Sequence, residues 1–142
     1  MGARFILAVL VGMVSIGLFG FVLYGIVFAS LFGANAGSAI GVMKNPPDLL
    51  WVGLAHVPFG VLLALVIKWR GATSMGGGAV TGAILGLLMA ASYDLSQYGT
   101  THIWALKVTL IDPLITMGMV GASGALVGLA LGRSSSTSRE LE

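Results

Sequence analysis

Two ionisable residues stand inside runs that are otherwise fit for lipid. The stretch KVTLIDPLIT, Lys107 to Thr116, holds Asp112 directly before Pro113, and LWVGLAHVP, Leu50 to Pro58, holds His56 two places before Pro58. A carboxylate near the centre of a membrane helix costs about 2.5–3.5 kcal/mol on insertion scales, so such a residue is a candidate for proton transfer or for holding a polar solute. The prolines add to the local polarity. Each withholds an N–H from the carbonyl four residues back, that of Thr109 for Pro113 and that of Leu54 for Pro58.

Other polar side chains can reach the same layer. Tyr24 lies about eight residues from the end of the first apolar run, Tyr93 and Asp94 close the third, and Thr109 and Thr116 share the Asp112 face at helical spacing. With His56 and Asp112 they form the expected polar pocket, equipped for a proton relay or a small polar ligand. His102 and Lys107 fall nearer the surface, and Lys107 is expected to snorkel outward. Each residue also has a plainer role open to it: His56 as a histidine hydrogen-bonded to a neighbouring helix, Asp112 as half of a structural pair, Asp94 as a helix-end residue. A metal site would need more ligands than one buried histidine with one or two carboxylates. Serine hydrolase chemistry would need a marked nucleophile, and none stands out. No enzyme activity and no cofactor are expected.

The elements that position these residues follow from composition. Of the 142 residues 57% are hydrophobic and only 8% are charged, against about 25% charged in an ordinary soluble domain. The apolar runs exceed the ~18 residues that mark a spanning helix, and the strict alternation of a membrane β-barrel is absent. The expected fold is an all-α membrane protein, a bundle of four transmembrane helices in one domain over residues 1–133. Its spans fall at about 5–32, 49–67, 75–97 and 104–131, followed by a disordered tail at 134–142 whose Leu141-Glu142 has the look of a cloning scar. The pair Pro46-Pro47 with Asp48 suits the start of the second span. The first run is too long for a signal-peptide core and is expected to be retained.

Seven Lys and Arg against five acids leave a surplus of two, with no basic patch for nucleic acid. An even number of spans puts both termini on one side. Arg4, Lys68, Arg70, Arg133 and Arg139 share that side, against Lys44 and Lys107 opposite, so the positive-inside rule places both termini in the cytoplasm. Trp69 and Trp104 fall at span ends, where an amphipathic ring prefers the headgroup level. Cysteine is absent, which excludes disulfides and thiol chemistry.

Glycine recurs with a period of four. Gly78, Gly82, Gly86 and then Ala90 do so on the third span, and Gly124, Gly128 and Gly132 on the fourth. Such stripes let helix backbones approach closely in lipid, either inside one bundle or across a homodimer seam. A Gly-rich phosphate loop is excluded, because GGGAVTGAILG carries no Lys and follows no strand. The second and fourth spans also align: Leu50 with Leu106, Val52 with Val108, Leu54 with Leu110, and His56 with Asp112. A duplicated hairpin would make parallel repeats about an axis along the membrane normal. His56 and Asp112 would then be symmetry mates, each roughly 10–12 Å from the non-cytoplasmic end at 1.5 Å per residue, and able to face each other.

The segment from Gly82 to Asp112 resembles an uncharacterised family of small four-helix bacterial membrane proteins. The matching elements are Gly82-Ala83, Gly86-Leu87, Tyr93-Asp94-Leu95-Ser96-Gln97, Gly99-Thr100, Trp104 and Asp112, where the family pattern carries Tyr-Asp-Leu-Thr-Asn, a Trp and an aspartate early in the last helix. Gln97 replaces the family's Asn, and the first helix lacks the acidic residue and tryptophan of the pattern. The resemblance implies the four-helix architecture, a bacterial inner-membrane location, and an interest in Asp94 and Asp112. It implies no reaction. Two functional readings follow: a small proton-linked transporter or permeation protein, homo-oligomeric, using an Asp112/His56 pair; or a structural, partner-binding membrane subunit in which the same pair is a latch.

Overall fold

A computed structural model describes residues 2–132. The expected tail at 134–142, and Arg133 and Arg139 of the charge count, lie outside the described residues. Within them the chain is helical: α1 (Ala3–Val22) runs into a π-helical turn (Leu23–Val27), then come α2 (Ala29–Ala34), α3 (Leu49–Trp69), α4 (Met75–Thr100) and α5 (Leu106–Gly132). Four helices are long and apolar enough to cross a membrane: Ala3–Val27, Leu49–Trp69, Met75–Thr100 and Leu106–Gly132. Large apolar side chains such as Leu18, Phe21, Leu54, Leu88 and Leu114 cover the outside of the bundle, as a lipid-facing surface requires.

The first span departs from its expected course to Phe32. The Phe28 N–H reaches the Leu23 carbonyl (2.7 Å), an i to i+5 bond that opens the helix, and Phe28 leaves helical geometry at φ −105°, ψ 7°. The chain then turns into the short α2. Single π turns of this kind re-aim side chains and recur at functional sites. Here the turn carries Tyr24.

The α3–α4 connection is as tight as the sequence KWRGATS suggests. Gly71 takes φ +65°, its N–H bonds to the Lys68 carbonyl (3.1 Å), and Ala72 N–H bonds to the Ile67 carbonyl (3.0 Å). That is a Schellman end, which a side chain would strain. Ser74 then caps α4, its Oγ accepting from Gly77 N–H at 3.1 Å. Arg70 Nη1 donates to Thr81 Oγ1 (3.1 Å), fastening the turn to the second turn of α4. Arg4, Lys68 and Arg70 gather at this end of the bundle, hereafter the basic end. At the far end lie α2, residues 35–48 and the α4–α5 connection.

The core sits toward the basic end. Phe5, Ala8, Ile16, Leu63, Ala64, Ile67, Val120 and Val127 form its buried cluster. α4 and α5 share by far the most extensive contact, whereas α3 packs chiefly on α1 and meets α4 and α5 little. At the α1–α3 crossing Gly60 lies against the α1 backbone: a Cβ there would stand 2.9 Å from Met13 N and 3.0 Å from the Val9 carbonyl.

Both small-residue stripes are consumed within the chain. A Cβ on Gly82 would fall on the Val120 carbonyl, and Gly78 and Gly124 each present their carbonyl oxygen where the other's Cβ would go. Gly128 meets the Ser74 carbonyl and Gly132 that of Thr73. The α4 and α5 stripes therefore form an antiparallel seam in which backbone touches backbone, the packing alternative among the two expected. α3 runs through Pro58, and α5 through Pro113, without a break.

Candidate functional site

The period of four does not stop at glycine. Gly78, Gly82, Gly86, Ala90 and Asp94 are spaced by four along α4, and Asp112, Thr116, Val120, Gly124, Gly128 and Gly132 are spaced by four along α5. Because the seam is antiparallel, with Gly86 against Thr116 and Val120, continuing it one turn at a time brings Asp94 to Asp112. Glycine sets the helix separation at the basic end, and the same ridge delivers two carboxyl groups at the far end.

Asp94 and Asp112 stand at matching ends of the two ridges, and Tyr24 of the π turn lines the same cavity as they do. Tyr24 also shares a 2.8 Å hydrogen bond with Thr116 Oγ1. Thr116 is one helical turn beyond Asp112, so α5 presents both groups to the π turn. Asp94 Oδ2 and Asp112 Oδ1 are shut off from the surface without a hydrogen-bond partner. Buried polar atoms are rarely left so.

These groups line one end of a cavity of about 550 Å³ at the far end of the bundle. Phe32, Met43, Ala90, Trp104 and Val108 make most of the rest of its lining apolar, with Tyr93 and Thr109 among them. The Tyr24 and Phe32 rings meet edge to face at 5.3 Å, and Phe32 meets Trp104 the same way at 5.6 Å. The α2 helix supplies Phe32, and the segment after it contributes Met43. That segment is stitched to the α4–α5 connection: Gly37 N–H donates to the Ile103 carbonyl (2.7 Å), Ala39 N–H to that of His102 (3.1 Å), and Ala105 N–H to that of Asn35 (3.0 Å). Gly37 has no room for a side chain there, since a Cβ would overlap the His102 carbonyl.

Of the expected pocket residues, the cavity gathers Asp112, Asp94, Tyr93, Tyr24, Thr109 and Thr116. Thr109 is nearly buried, with its Oγ1 donating to the Ala105 carbonyl at 3.3 Å. Tyr93 stands at the rim, its hydroxyl accepting from Gln97 Nε2 at 3.1 Å. His56 is not among them. It faces α1, where a Cβ on Gly17 would lie 4.0 Å from its ring, one turn from the Gly60 crossing. The expected Asp112/His56 pair is replaced by Asp112/Asp94: each ionisable residue looks toward the helix of its own hairpin rather than across an axis. Trp104 likewise is no simple headgroup anchor, because its ring is folded into the cavity wall. Trp69, at the end of α3, is 75% exposed.

The π turn, Phe32 and Met43 were not foreseen in the sequence. The turn leaves no proline or charge to mark it, and Met43 is carried in by backbone pairing at a distance.

Residues 5–130 match the family described as "Predicted membrane protein (DUF2177)", and the chain belongs to that family. No curated protein and no solved structure matches it. The match spans all four apolar helices, so this is an integral membrane protein of a family whose function is unknown.

Proposed function

We propose that this family member is a small proton-linked transporter or permeation protein of the bacterial inner membrane, with both termini in the cytoplasm, and that Asp94 and Asp112 are its proton-exchanging pair. The observation that carries the reading is that Asp94 and Asp112 line one far-end cavity, with Asp94 Oδ2 and Asp112 Oδ1 buried and without a hydrogen-bond partner. Two carboxylates brought together where little water reaches them repel each other, and a proton held between them relieves that repulsion. That proton is exchangeable with whatever enters the cavity. The other titratable groups on the cavity are Tyr24 from the π turn and Tyr93 from α4, and α3 contributes none. Among the described residues no nucleophile lines the cavity with the pair, which favours a carrier or channel over an enzyme.

A purely structural, partner-binding role draws less support. The glycine faces such a role would offer to another subunit pack on each other between α4 and α5.

Infrared spectroscopy of the reconstituted protein tests the proposal. A protonated-carboxyl C=O band is expected at neutral pH in the wild type, absent in Asp94→Asn and in Asp112→Asn, and unchanged in His56→Gln. Liposomes loaded with a pH-sensitive dye should show proton flux that Asp112→Asn abolishes and His56→Gln retains. A missing band, or wild-type flux in both Asn variants, would remove the basis of the proposal.

A further inference from the structure

The lining of the cavity is specific enough to choose among ligand chemistries. Among the described residues no Lys, Arg or His lines it, so nothing there neutralises a phosphate or carboxylate, and the two aspartates would repel one. A sugar or other polyol would need many free hydrogen-bonding groups, whereas here Thr109 already donates to the Ala105 carbonyl, Tyr93 accepts from Gln97, and Tyr24 and Thr116 bond to each other. A bare inorganic cation would take the oxygen ligands but leave most of the 550 Å³ cavity and its aromatic wall unused. What matches both ends is a cation with an apolar body. Aromatic rings attract cations through their faces, and a desolvated site strengthens that attraction.

We infer that the ligand is a small organic ammonium ion whose charged nitrogen docks between Asp94 and Asp112 and whose apolar body lies along Phe32 and Trp104. The inference rests on the proton-sharing pair proposed above. The exchange balances. Before binding, the pair carries one proton and a charge of −1; the ammonium donates one N–H to each carboxylate, the shared proton leaves to water, and the occupied site again carries −1. A third N–H finds the Tyr24–Thr116 hydroxyl pair, whose two oxygens lie 2.8 Å apart. Binding of the amine and release of a proton are thus the same event, which is the coupling an antiporter needs. Met43 lines the site, and its segment is tied to the α4–α5 connection by three backbone bonds.

The experiment uses phenethylammonium as probe, with phenethyl alcohol as its neutral counterpart and 3-phenylpropionate as its anionic one. Binding to the full chain in lipid nanodiscs is followed by Trp104 emission in a Trp51→Phe, Trp69→Phe background, and proton release by an indicator dye in weak buffer. The ammonium should bind at least tenfold more tightly than the alcohol, the acid should not bind, and release should approach one proton per chain. Asp94→Asn and Asp112→Asn should each weaken the ammonium at least tenfold. Alcohol binding as tight as the ammonium, or ammonium binding without proton release, would overturn the inference. If the infrared band of the shared proton is present but millimolar phenethylammonium does not bind, the organic-cation inference fails and the proton-exchange proposal stands. If the band itself is absent, both fall.

Discussion

Replacing Gly86 with alanine should destabilise the protein, while the same replacement at Gly118 should not. The built Cβ of Gly86 stands 2.8 Å from the Thr116 carbonyl oxygen and 2.8 Å from Val120 Cβ, against the 3.4 Å at which ordinary contact begins. The shortfall is about 0.6 Å, and one of the obstacles is backbone, so α4 and α5 must part rather than a side chain rotate. Overpacking of this kind costs about 1–3 kcal/mol. Gly118, on α5 but with nothing within 4 Å of its built Cβ, should gain up to about 1 kcal/mol from the better helix propensity of alanine. Unfolding of the two variants in mixed detergent micelles should therefore shift in opposite directions from wild type. Gly86→Ala should also weaken the protonated-carboxyl infrared signal, because Gly86 is two turns from Asp94 on the same ridge. Equal shifts for the two variants would refute the claim that the glycine seam sets the helix separation. A destabilised Gly86→Ala with an unaltered carboxyl band would instead refute the claim that the seam positions the acids.

Two further outcomes are expected. Tyr24→Phe and Thr116→Val should each cost about 1 kcal/mol, the usual worth of a hydrogen bond. The double variant should cost little more than either single one, since both remove the same 2.8 Å bond; additive losses in a double-mutant cycle would mean that the two hydroxyls do not interact. The chain contains no cysteine, so a single Ile40→Cys, at a residue 97% exposed in the far-end segment, should react with a membrane-impermeant maleimide in intact cells, whereas Ala72→Cys in the α3–α4 turn should react only after lysis. The reverse pattern would overturn the proposed orientation.

Element identity was largely legible in the sequence because a membrane helix announces itself by length and apolarity. Pro46-Pro47-Asp48 does precede α3, and KWRGATS does form a tight turn. Hydropathy alone carries the first span past the π turn because it is blind to hydrogen-bond register: LYGIVFAS is as apolar through the turn as before it. The site was legible in its members and misread in its pairing. His56 and Asp112 matched by alignment of two spans, but alignment gives equivalence, not contact. Contact was encoded in the simpler signal, the spacing of four that runs from Gly78 through Ala90 to Asp94. Followed past its last small residue, it would have placed Asp94 on the seam, with Asp112 at the matching end of the opposite stripe.

The same seam constrains how any exchange at the pair could be coupled to the other side of the membrane. Below Asp94 and Asp112, α4 and α5 meet backbone to backbone at Gly86, Gly82 and Gly78, leaving no room for water or an ion between them. Separating the two helices would sacrifice the most extensive contact in the molecule. α3 is held differently: its buried residues, Gly60, Leu63, Ala64 and Ile67, all lie in its half toward the basic end, and Leu49, Leu50, Trp51, Val52 and Leu54 of the other half are exposed. Contact density sets which elements move at low cost. On the proposed transport reading, α4 and α5 serve as the fixed wall that holds the acids, and a route past them opens along the loosely held side of α3, where His56, absent from the cavity, would be the next ionisable group a proton meets.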